Sequence, residues 1–375
     1  MRYYFIAGEA SGDLHGSNTI KEVLKQDSAA EFKFTGGDLM EQASGGKADI
    51  HIKEMAFMGF VDVLKNIGTI RKNFRKVKEA ILQFKPDLLV LVDYPGFNLR
   101  MAKWANQKGI RVDYYISPTV WAWKEGRVEQ IKKYTHKLFV ILPFEEAFYQ
   151  KHQHRVYFVG HPLIDAIEQQ KQAFKTKAEF IKANQLSGRE IIAVLPGSRV
   201  QEIERMLDIM LAVASDFKAY EFVVAGAASL PLAHYAALAK HNIKVVFHQT
   251  YELMTYARAG IIKSGTSTLE SALLKLPQVV CYKSGAVSFA IGKRLVNIKY
   301  ISLVNLIMDQ PVVKELIQNE LSAKNISQEL RKLLEDEAYR SEMINAYTRV
   351  AERLGGRGAS QKLATHLVHD AARKN

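Results

Sequence analysis

Short apolar runs alternate with stretches of helical periodicity along most of the chain. The first half has such runs at 3–7, 32–35, 88–92, 112–116, 138–141 and 156–159. The second half has them at 191–195, 222–225, 244–247, 261–263 and 279–282. Strands that alternate with helices predict an α/β fold, in which parallel sheets carry helices on both faces. From about residue 327 onward the pattern is wholly helical.

The length of 375 residues favours two domains. Gly160-His161-Pro162 follows a predicted strand and precedes a polar helix predicted at 169–182, and proline there ends one element and begins the next. We therefore predict a Rossmann-like domain at 1–161 and a second at 162–326, facing one central cleft. The helical tail at 327–375 is expected to pack back towards the first domain.

Composition narrows the classes of function. The single cysteine, Cys281, excludes an intramolecular disulfide and a cysteine-rich zinc site. No apolar stretch reaches the roughly 18–20 residues of a membrane span, and the start is too short for a signal peptide, so we expect a cytoplasmic protein. The net charge of +13 favours an acidic partner such as an anionic membrane or a phosphorylated substrate. No usual nucleic-acid motif is present, and a basic surface that only confers solubility is the alternative.

The segment GEASGD at 8–13 follows the first strand and opens a predicted helix. Free N–H groups at a helix N-terminus bind anions, and glycines allow a ligand to come close. The alternative is ordinary turn chemistry. Asp38 lies about where a dinucleotide-binding fold has its ribose-binding acid, so a nicotinamide-dependent enzyme is a further alternative. The glycine spacing, however, is not G-x-G-x-x-G. The candidate acceptor or cleft residues of this segment are Glu9, Ser11, Gly12 and Asp13.

A wholly apolar strand at 88–92 ends at Asp93. Ligands bind at the carboxyl ends of parallel strands, where a carboxylate can accept a proton from a substrate hydroxyl. Asn98 can cap a helix that begins near it, which leaves Asp93 for catalysis; helix capping by Asp93 is the alternative. The aromatic segment with Trp121 and Trp123 is either a sugar-stacking surface or a packed loop.

Two loops in the second half, at 196–199 and 263–270, predict a nucleotide site. Arginine binds phosphate bidentately, the N–H groups after Ser264 suit a diphosphate, and Glu270 suits two ribose hydroxyls. Each loop alone fits ordinary turn chemistry, but together they predict a nucleoside-diphosphate sugar. Without a D-x-D pair or an H-x-x-x-H pair we predict no metal, so Arg199 and helix N-termini stabilise the leaving diphosphate. The donor-side candidates from these loops are Gly197, Ser198, Arg199, Gly265, Thr266 and Glu270.

Apolar residues recur at helical spacing from 57 to 81, among several lysines and arginines. One interpretation is a basic amphipathic surface that meets anionic lipid. The other is a surface helix whose apolar stripe faces the core. The candidate membrane-contact residues are Phe60, Val61, Leu64 and Ile67.

These motifs together resemble the lipid A disaccharide synthase family, inverting glycosyltransferases of the GT-B type. The resemblance extends from residue 1 to about 320. It rests on the segments at 8–13, 58–59, 93–98, 117–123, 142–145, 160–162, 195–199, 264–266 and 302–306.

The resemblance implies an enzyme that joins UDP-2,3-diacylglucosamine to 2,3-diacylglucosamine 1-phosphate, giving a β-1,6-linked disaccharide 1-phosphate and UDP. It implies no metal or cofactor, and a peripheral position on the cytoplasmic face of the inner membrane of a Gram-negative bacterium. By the resemblance Asp93 is the general base, Arg199 and Asn305 lie on the donor side, and Glu270 binds ribose. Gly96 stands where family members often have a second acid.

The residues alone are also compatible with other functions. A UDP-N-acetylglucosamine 2-epimerase, or a glycosyltransferase with a soluble acceptor, would use the same donor loops. A non-catalytic sugar-nucleotide or membrane-binding protein would not need Asp93 and Arg199. A homodimer is compatible with the sequence.

Overall fold

The computed structural model describes residues 1–55, 67–228, 230–235, 238, 241, 243–296 and 298–372. The chain forms two compact units. Unit 1 comprises Met1–Asp165 together with Leu354–Asn375, and unit 2 comprises Ala166–Arg353. Phe60, Val61 and Leu64 lie outside the described residues, as does the motif at 58–59. Among the helices described, none is both long and apolar enough to cross a membrane.

Unit 1 contains a seven-stranded sheet in the order β3-β2-β1-β4-β5-β6-β7, and its paired strands are parallel. Its strands are β1 (Arg2–Ala7), β2 (Glu31–Gly36), β3 (Ile50–His51), β4 (Leu88–Val92), β5 (Val112–Tyr115), β6 (Lys137–Val140) and β7 (Tyr157–Phe158). The helices up to the unit boundary are α1 (Ala10–Gln26), α2 (Asp38–Ser44), α3 (Ile67–Phe84), α4 (Pro95–Gln107), α5 (Val128–Tyr134), α6 (Pro143–Lys151) and α7 (Pro162–Lys171).

Alternate residues of β1 point into two separate cores. Tyr4 and Ile6 belong to one cluster, which also contains Val77 and Ile81 of α3. Phe5 belongs to the other cluster, on the opposite face of the sheet. Side chains alternate between the faces of a strand, so a strand that is apolar at every position is buried on both sides, as the run at 88–92 predicted.

Unit 2 contains a six-stranded sheet in the order β10-β9-β8-β11-β12-β13, again with parallel pairs. Its strands are β8 (Glu190–Leu195), β9 (Tyr220–Gly226), β10 (Lys244–Phe247), β11 (Ala257–Lys263), β12 (Gln278–Tyr282) and β13 (Lys314–Ile317). The remaining helices are α8 (Lys177–Ala183), α9 (Val200–Leu211), α10 (Thr250–Tyr256), α11 (Thr266–Leu273), α12 (Ala286–Leu295), α13 (Leu303–Met308), α14 (Ala323–Glu335), α15 (Glu337–Arg353) and α16 (Ala359–Ala372).

The predicted α/β class is confirmed, and each of the eleven predicted strands is present. The strands β3 and β13 were not predicted, because they are short edge strands without a long apolar run. The single helix predicted at 169–182 is wrong: α7 ends at Lys171 and α8 begins at Lys177, after the capping side chain of Thr176.

The prediction of one tail at 327–375 is wrong for residues 327–353. Those residues belong to unit 2, where Ser327 donates to Asp216 at 2.8 Å and Tyr347 is fully buried. Residues 354–375 belong to unit 1. There Leu363 and Leu367 of α16 join the same core as Ile20 of α1. A helix belongs to the unit against which its apolar face is buried, and helical periodicity alone does not reveal which unit that is.

Candidate functional site

The candidate site residues lie where each sheet reverses its strand order. In unit 1 the central strand β1 lies between β2 and β4, and in unit 2 β8 lies between β9 and β11. At such a switch point the loops at the carboxyl ends diverge and leave a crevice for a ligand. The loops that follow β1, β4, β8 and β11 hold nearly all the predicted site residues.

Unit 2 has a cavity of about 590 Å³ at its switch point. Leu195 and Lys263, the last residues of β8 and β11, line it. The structure therefore brings together six of the seven predicted donor-side residues: Gly197, Ser198, Arg199, Gly265, Thr266 and Glu270.

The loop after β8 requires glycine at position 197. Gly197 has φ = 113°, and a Cβ there would lie 2.3 Å from Oε2 of Glu202. That oxygen accepts hydrogen bonds from the N–H groups of Ser198 at 3.1 Å and Arg199 at 3.3 Å. The carboxylate of Glu202 therefore satisfies the N-terminal amides of α9, as expected for the third residue of a helix.

Glu202 also binds the cations of the cavity. Its Oε1 lies 2.8 Å from Nζ of Lys263 and 3.7 Å from Nη1 of Arg199. Burial on its own would raise the pKa of Glu202, but the hydrogen bond from Lys263 and its charge bring that pKa below its usual value. The pair was missed by the sequence prediction, although Lys263 is a charged residue at the end of an apolar strand.

Glu270 lies on the cavity wall and accepts a hydrogen bond from the hydroxyl of Tyr251 at 2.8 Å. Burial raises the pKa of Glu270, and hydrogen bonds from Tyr251 and Ser267 oppose that shift. Tyr251 and His248 follow β10 and were not predicted, because that strand gives no glycine-rich signal.

Asn305 lies outside this group of lining residues. It is buried, and its Nδ2 donates to the carbonyl of Val313 at 2.9 Å and to Glu315 at 2.9 Å. Its Oδ1 accepts the N–H of Val313 at 2.9 Å. The amide of Asn305 therefore joins α13 to β13, and its donor-side role stays a prediction.

In unit 1, Asp93 follows β4 in a rare backbone conformation. Asp93 has φ = 47° and Tyr94 has φ = 50°, and left-handed backbone at non-glycine residues concentrates at functional sites. The carbonyl of Asp93 accepts hydrogen bonds from Nδ2 of Asn98 and the hydroxyl of Tyr114, both at 2.7 Å. The helix α4 begins at Pro95, so the prediction that Asn98 caps a helix starting near it is wrong; Asn98 is buried and holds the strand ends.

The carboxyl group of Asp93 is more basic than that of an ordinary aspartate. Burial is the main cause that raises the pKa of Asp93 to about 6, the negative charge of Glu9 adds to the increase, and the N–H of Tyr94 opposes it. A carboxylate with such a pKa is largely ionised at neutral pH and is more basic than an ordinary aspartate. Glu9, the residue before α1, is thus a neighbour of Asp93, as their shared sheet edge predicts.

The assignment of Asp13 to the acceptor site stays a prediction, and the structure gives its carboxylate a structural role. Asp13 is buried, and its Oδ1 accepts the N–H groups of Gly37 at 2.7 Å and Met40 at 3.1 Å. Its Oδ2 accepts the N–H of Leu39 at 3.1 Å. The carboxylate therefore caps α2. In the same loop, Ser11 is exposed and Gly12 is buried.

The two tryptophans of the aromatic loop after β5 fit different interpretations, a packed loop and a sugar-stacking surface. Trp121 packs edge-on against Phe144 at 4.8 Å between ring centroids, which is the packed-loop alternative. Trp123 is 42% exposed, and Nζ of Lys124 lies 4.2 Å from its ring centroid.

The alternative of a nicotinamide-dependent enzyme depended on Asp38. This residue is exposed and pairs with Lys53 at 3.7 Å.

A group of three side chains in unit 1 has the composition of a metal site. One potential ligand atom each from Asp113, His136 and Asp370 lies within 4.8 Å of the others. Nζ of Lys137 lies 2.6 Å from Oδ1 of Asp370, so an ammonium group already pairs with this carboxylate. Asp113 and Lys137 lie at the amino ends of β5 and β6, at the opposite sheet edge from Asp93, so the group joins α16 to the sheet.

Two parallel-sheet α/β units, with candidate ligand loops at the switch points, define the fold class of GT-B glycosyltransferases and sugar-nucleotide epimerases. The fold is similar to that of UDP-GlcNAc 2-epimerase from Neisseria meningitidis, with a TM-score of 0.67 and 16% identity over 99% of both chains. The family model described as lipid-A-disaccharide synthetase matches residues 3–367. The chain belongs to that family.

Curated relatives agree with the family match. The lipid-A-disaccharide synthase of Trichlorobacter lovleyi is 39% identical over 370 residues, which are 97% of this chain and 96% of the relative. That of Geobacter metallireducens is 38% identical over 381 residues, which are 100% of this chain and 98% of the relative. The predicted family is thus confirmed, whereas the similarity to the epimerase is one of fold.

Proposed function

We propose that this chain is an inverting glycosyltransferase that transfers diacylglucosamine from UDP-2,3-diacylglucosamine to the 6-hydroxyl of 2,3-diacylglucosamine 1-phosphate. The products are the β-1,6-linked disaccharide 1-phosphate and UDP. The family match supports the reaction class. The observation that carries the proposal is the cavity at the switch point of unit 2, which gathers six residues suited to a nucleoside diphosphate.

On the donor side, unit 2 supplies the groups that a UDP leaving group requires. Negative charge grows on the diphosphate as the bond to the sugar breaks, and preorganised donors stabilise that charge. Arg199, Gly265 and Thr266 line the cavity, and we propose that the guanidinium group and the two backbone N–H groups are those donors. Glu270, which lines the same cavity, is proposed to accept hydrogen bonds from the ribose hydroxyls. This charge stabilisation is proposed to need no metal ion.

On the acceptor side, Asp93 accepts the proton of the attacking hydroxyl. A primary hydroxyl is a poor nucleophile near pH 7, and a positioned base contributes about 10²–10⁴-fold. The raised pKa of Asp93, about 6, suits it to this role. Glu9 contributes negative charge beside Asp93, and Ser11 and Gly12 belong to the same loop, which keeps them as proposed acceptor contacts.

The acylated substrates would require a membrane surface. The part of α3 that the structure describes has buried Val77 and Ile81 on one side and exposed cations on the other, and Ile67 is 49% exposed. Exposed cations beside apolar residues suit an anionic bilayer. We infer a peripheral association with the anionic inner membrane through this helix and through Phe60, Val61 and Leu64. A homodimer remains compatible with the proposal.

Mass spectrometry of the products tests the proposal directly. The purified protein, given UDP-diacylglucosamine and diacylglucosamine 1-phosphate, is expected to form the disaccharide 1-phosphate and UDP, with and without EDTA. Asp93→Asn should reduce turnover by about 10²–10⁴-fold while UDP binding and the melting temperature stay close to wild type. Asp38→Asn, at an exposed site, is the matched control.

Three results would contradict parts of this proposal. Epimerised UDP-sugar without disaccharide would show the other enzyme class. Activity that EDTA abolishes and Mg²⁺ restores would overturn the metal-free account. An Asp93→Asn variant that turns over within about tenfold of wild type would remove Asp93 as the base.

A further inference from the structure

Lys263 is the last residue of β11, and its ammonium group lies between the two donor loops. Nζ is 2.8 Å from Oε1 of Glu202, whose other oxygen binds the backbone N–H groups that begin α9. The same Nζ is 3.5 Å from the position that a Cβ on Gly265 would occupy. One cation therefore adjoins both the loop after β8 and the loop after β11.

We propose that Lys263 binds the diphosphate of the donor directly, as a second cation beside Arg199. This inference rests on the proposed donor site and extends it. An ammonium group has three N–H donors, and the contact with Glu202 uses one of them. The side chain of Lys263 is 20% exposed and lines the cavity, so its other donors are accessible to a ligand.

Glu202 positions this ammonium group before the ligand arrives. Two cations that share one small cavity repel each other, and a carboxylate that contacts both reduces that repulsion. Glu202 holds Lys263 at 2.8 Å and contacts Arg199 only at 3.7 Å, and the Arg199 side chain is 68% exposed. Glu202 thus holds Lys263 in place, whereas the side chain of Arg199 is mostly in solvent.

A purely structural role for Lys263 makes a different prediction. If the lysine only neutralised Glu202, the double variant Glu202→Gln/Lys263→Met, in which no carboxylate is left unpaired, would bind both UDP and uridine about as the wild type does. A direct contact with the diphosphate acts only on ligands that carry phosphate. Comparison of UDP with uridine, which lacks phosphate, in this double variant therefore separates the two roles.

The test measures UDP binding by titration calorimetry and uridine binding by ligand-observed NMR. Lys263→Met should weaken UDP binding about 10–100-fold, the effect of losing a charged hydrogen bond, and leave uridine binding within about twofold of wild type. Lys263→Arg, which keeps the charge, should recover part of the loss. Lys244→Met is the matched control, since Lys244 is an exposed lysine at the amino end of β10, the opposite edge of the same sheet.

The results have distinct meanings. Unchanged UDP affinity in Lys263→Met would overturn the inference, and so would an equal loss for uridine and UDP. If Lys263→Met fails to melt cooperatively, Lys263→Gln, which keeps a hydrogen-bond donor, takes its place with the same expected difference between UDP and uridine. Failure of the wild-type protein to bind UDP would instead reject the donor site itself, and with it the proposed function.

Discussion

The carboxyl group of Asp93 is presented by a backbone that its neighbours hold in an uncommon conformation. Two successive non-glycine residues with positive φ cost about 1–3 kcal/mol each. The hydrogen bonds from Asn98 and Tyr114 to one carbonyl offset part of that cost. The end of an apolar strand predicted Asp93 from the sequence, but no local pattern could reveal Tyr114, because only the pairing of β4 with β5 brings it there.

The pKa of Asp93 predicts the acid limb of the activity profile. Below pH about 6 this carboxyl group is protonated and cannot accept a proton, so kcat/KM should fall about tenfold per pH unit. Measurement of kcat/KM between pH 4.5 and 8 checks this. Glu9→Gln should move the limb to lower pH, because the charge of Glu9 helps to raise the pKa. A profile that is flat from pH 7 to pH 5 would contradict the assignment.

At the scale of elements, a carboxylate that belongs to α1 caps the neighbouring helix α2. Asp13 lies in the first turn of α1 and accepts three N–H groups at or next to the start of α2. Helix N-termini have unsatisfied N–H groups, and α2 meets this need with a side chain from another helix. This explains why a residue that looks like a ligand contact in the sequence is part of the scaffold.

Asp13→Ala should therefore destabilise the protein by about 3 kcal/mol or more, because buried N–H groups lose charged partners. Chemical denaturation measures the change. Ser11→Ala, at an exposed position in the same turn, is the control and should alter the free energy of unfolding by less than about 0.5 kcal/mol. Unchanged stability in Asp13→Ala, together with weaker acceptor binding, would support the role in substrate recognition.

The sequence predicts elements well where burial is continuous. Strands such as β4 and β8 are apolar along nearly their whole length, whereas β13 mixes lysine and glutamate with apolar residues. The break between α7 and α8 had a readable signal, the capping box of Thr176 and Glu179. For the pair of Lys263 and Glu202, the charge of Lys263 at the end of an apolar strand was a signal, but its partner was not readable, since the two residues meet only because β8 and β11 are neighbours.

At the scale of the whole molecule, the net charge of +13 has a structural counterpart in α3. Val77 and Ile81 of that helix face the core, so the core-facing interpretation holds for this part of the predicted stripe. The polar side of the helix presents four exposed cations: Arg71, Lys72, Arg75 and Lys76. A basic surface can therefore coexist with ordinary packing of the same helix.

Replacing these four cations by glutamine should weaken binding to anionic liposomes. Each basic residue near an anionic surface contributes about 1 kcal/mol, or about fivefold in affinity, and the melting temperature should change little. Liposome sedimentation at low and high salt measures the effect. Equal loss in a control with the same change of charge, made in unit 2, would show that only total charge matters. The control replaces Lys182, Lys218, Lys244 and Lys324, which are all exposed.

The division of unit 1 between 1–165 and 354–375 has a consequence for the order of synthesis. A ribosome completes all of unit 2 before it produces α16, the helix that shares a core with α1. Until then the core around Ile20 and Val23 lacks the side chains of Leu363 and Leu367 that complete it. A premature stop codon after residue 353 would therefore damage the part of the protein that is translated first.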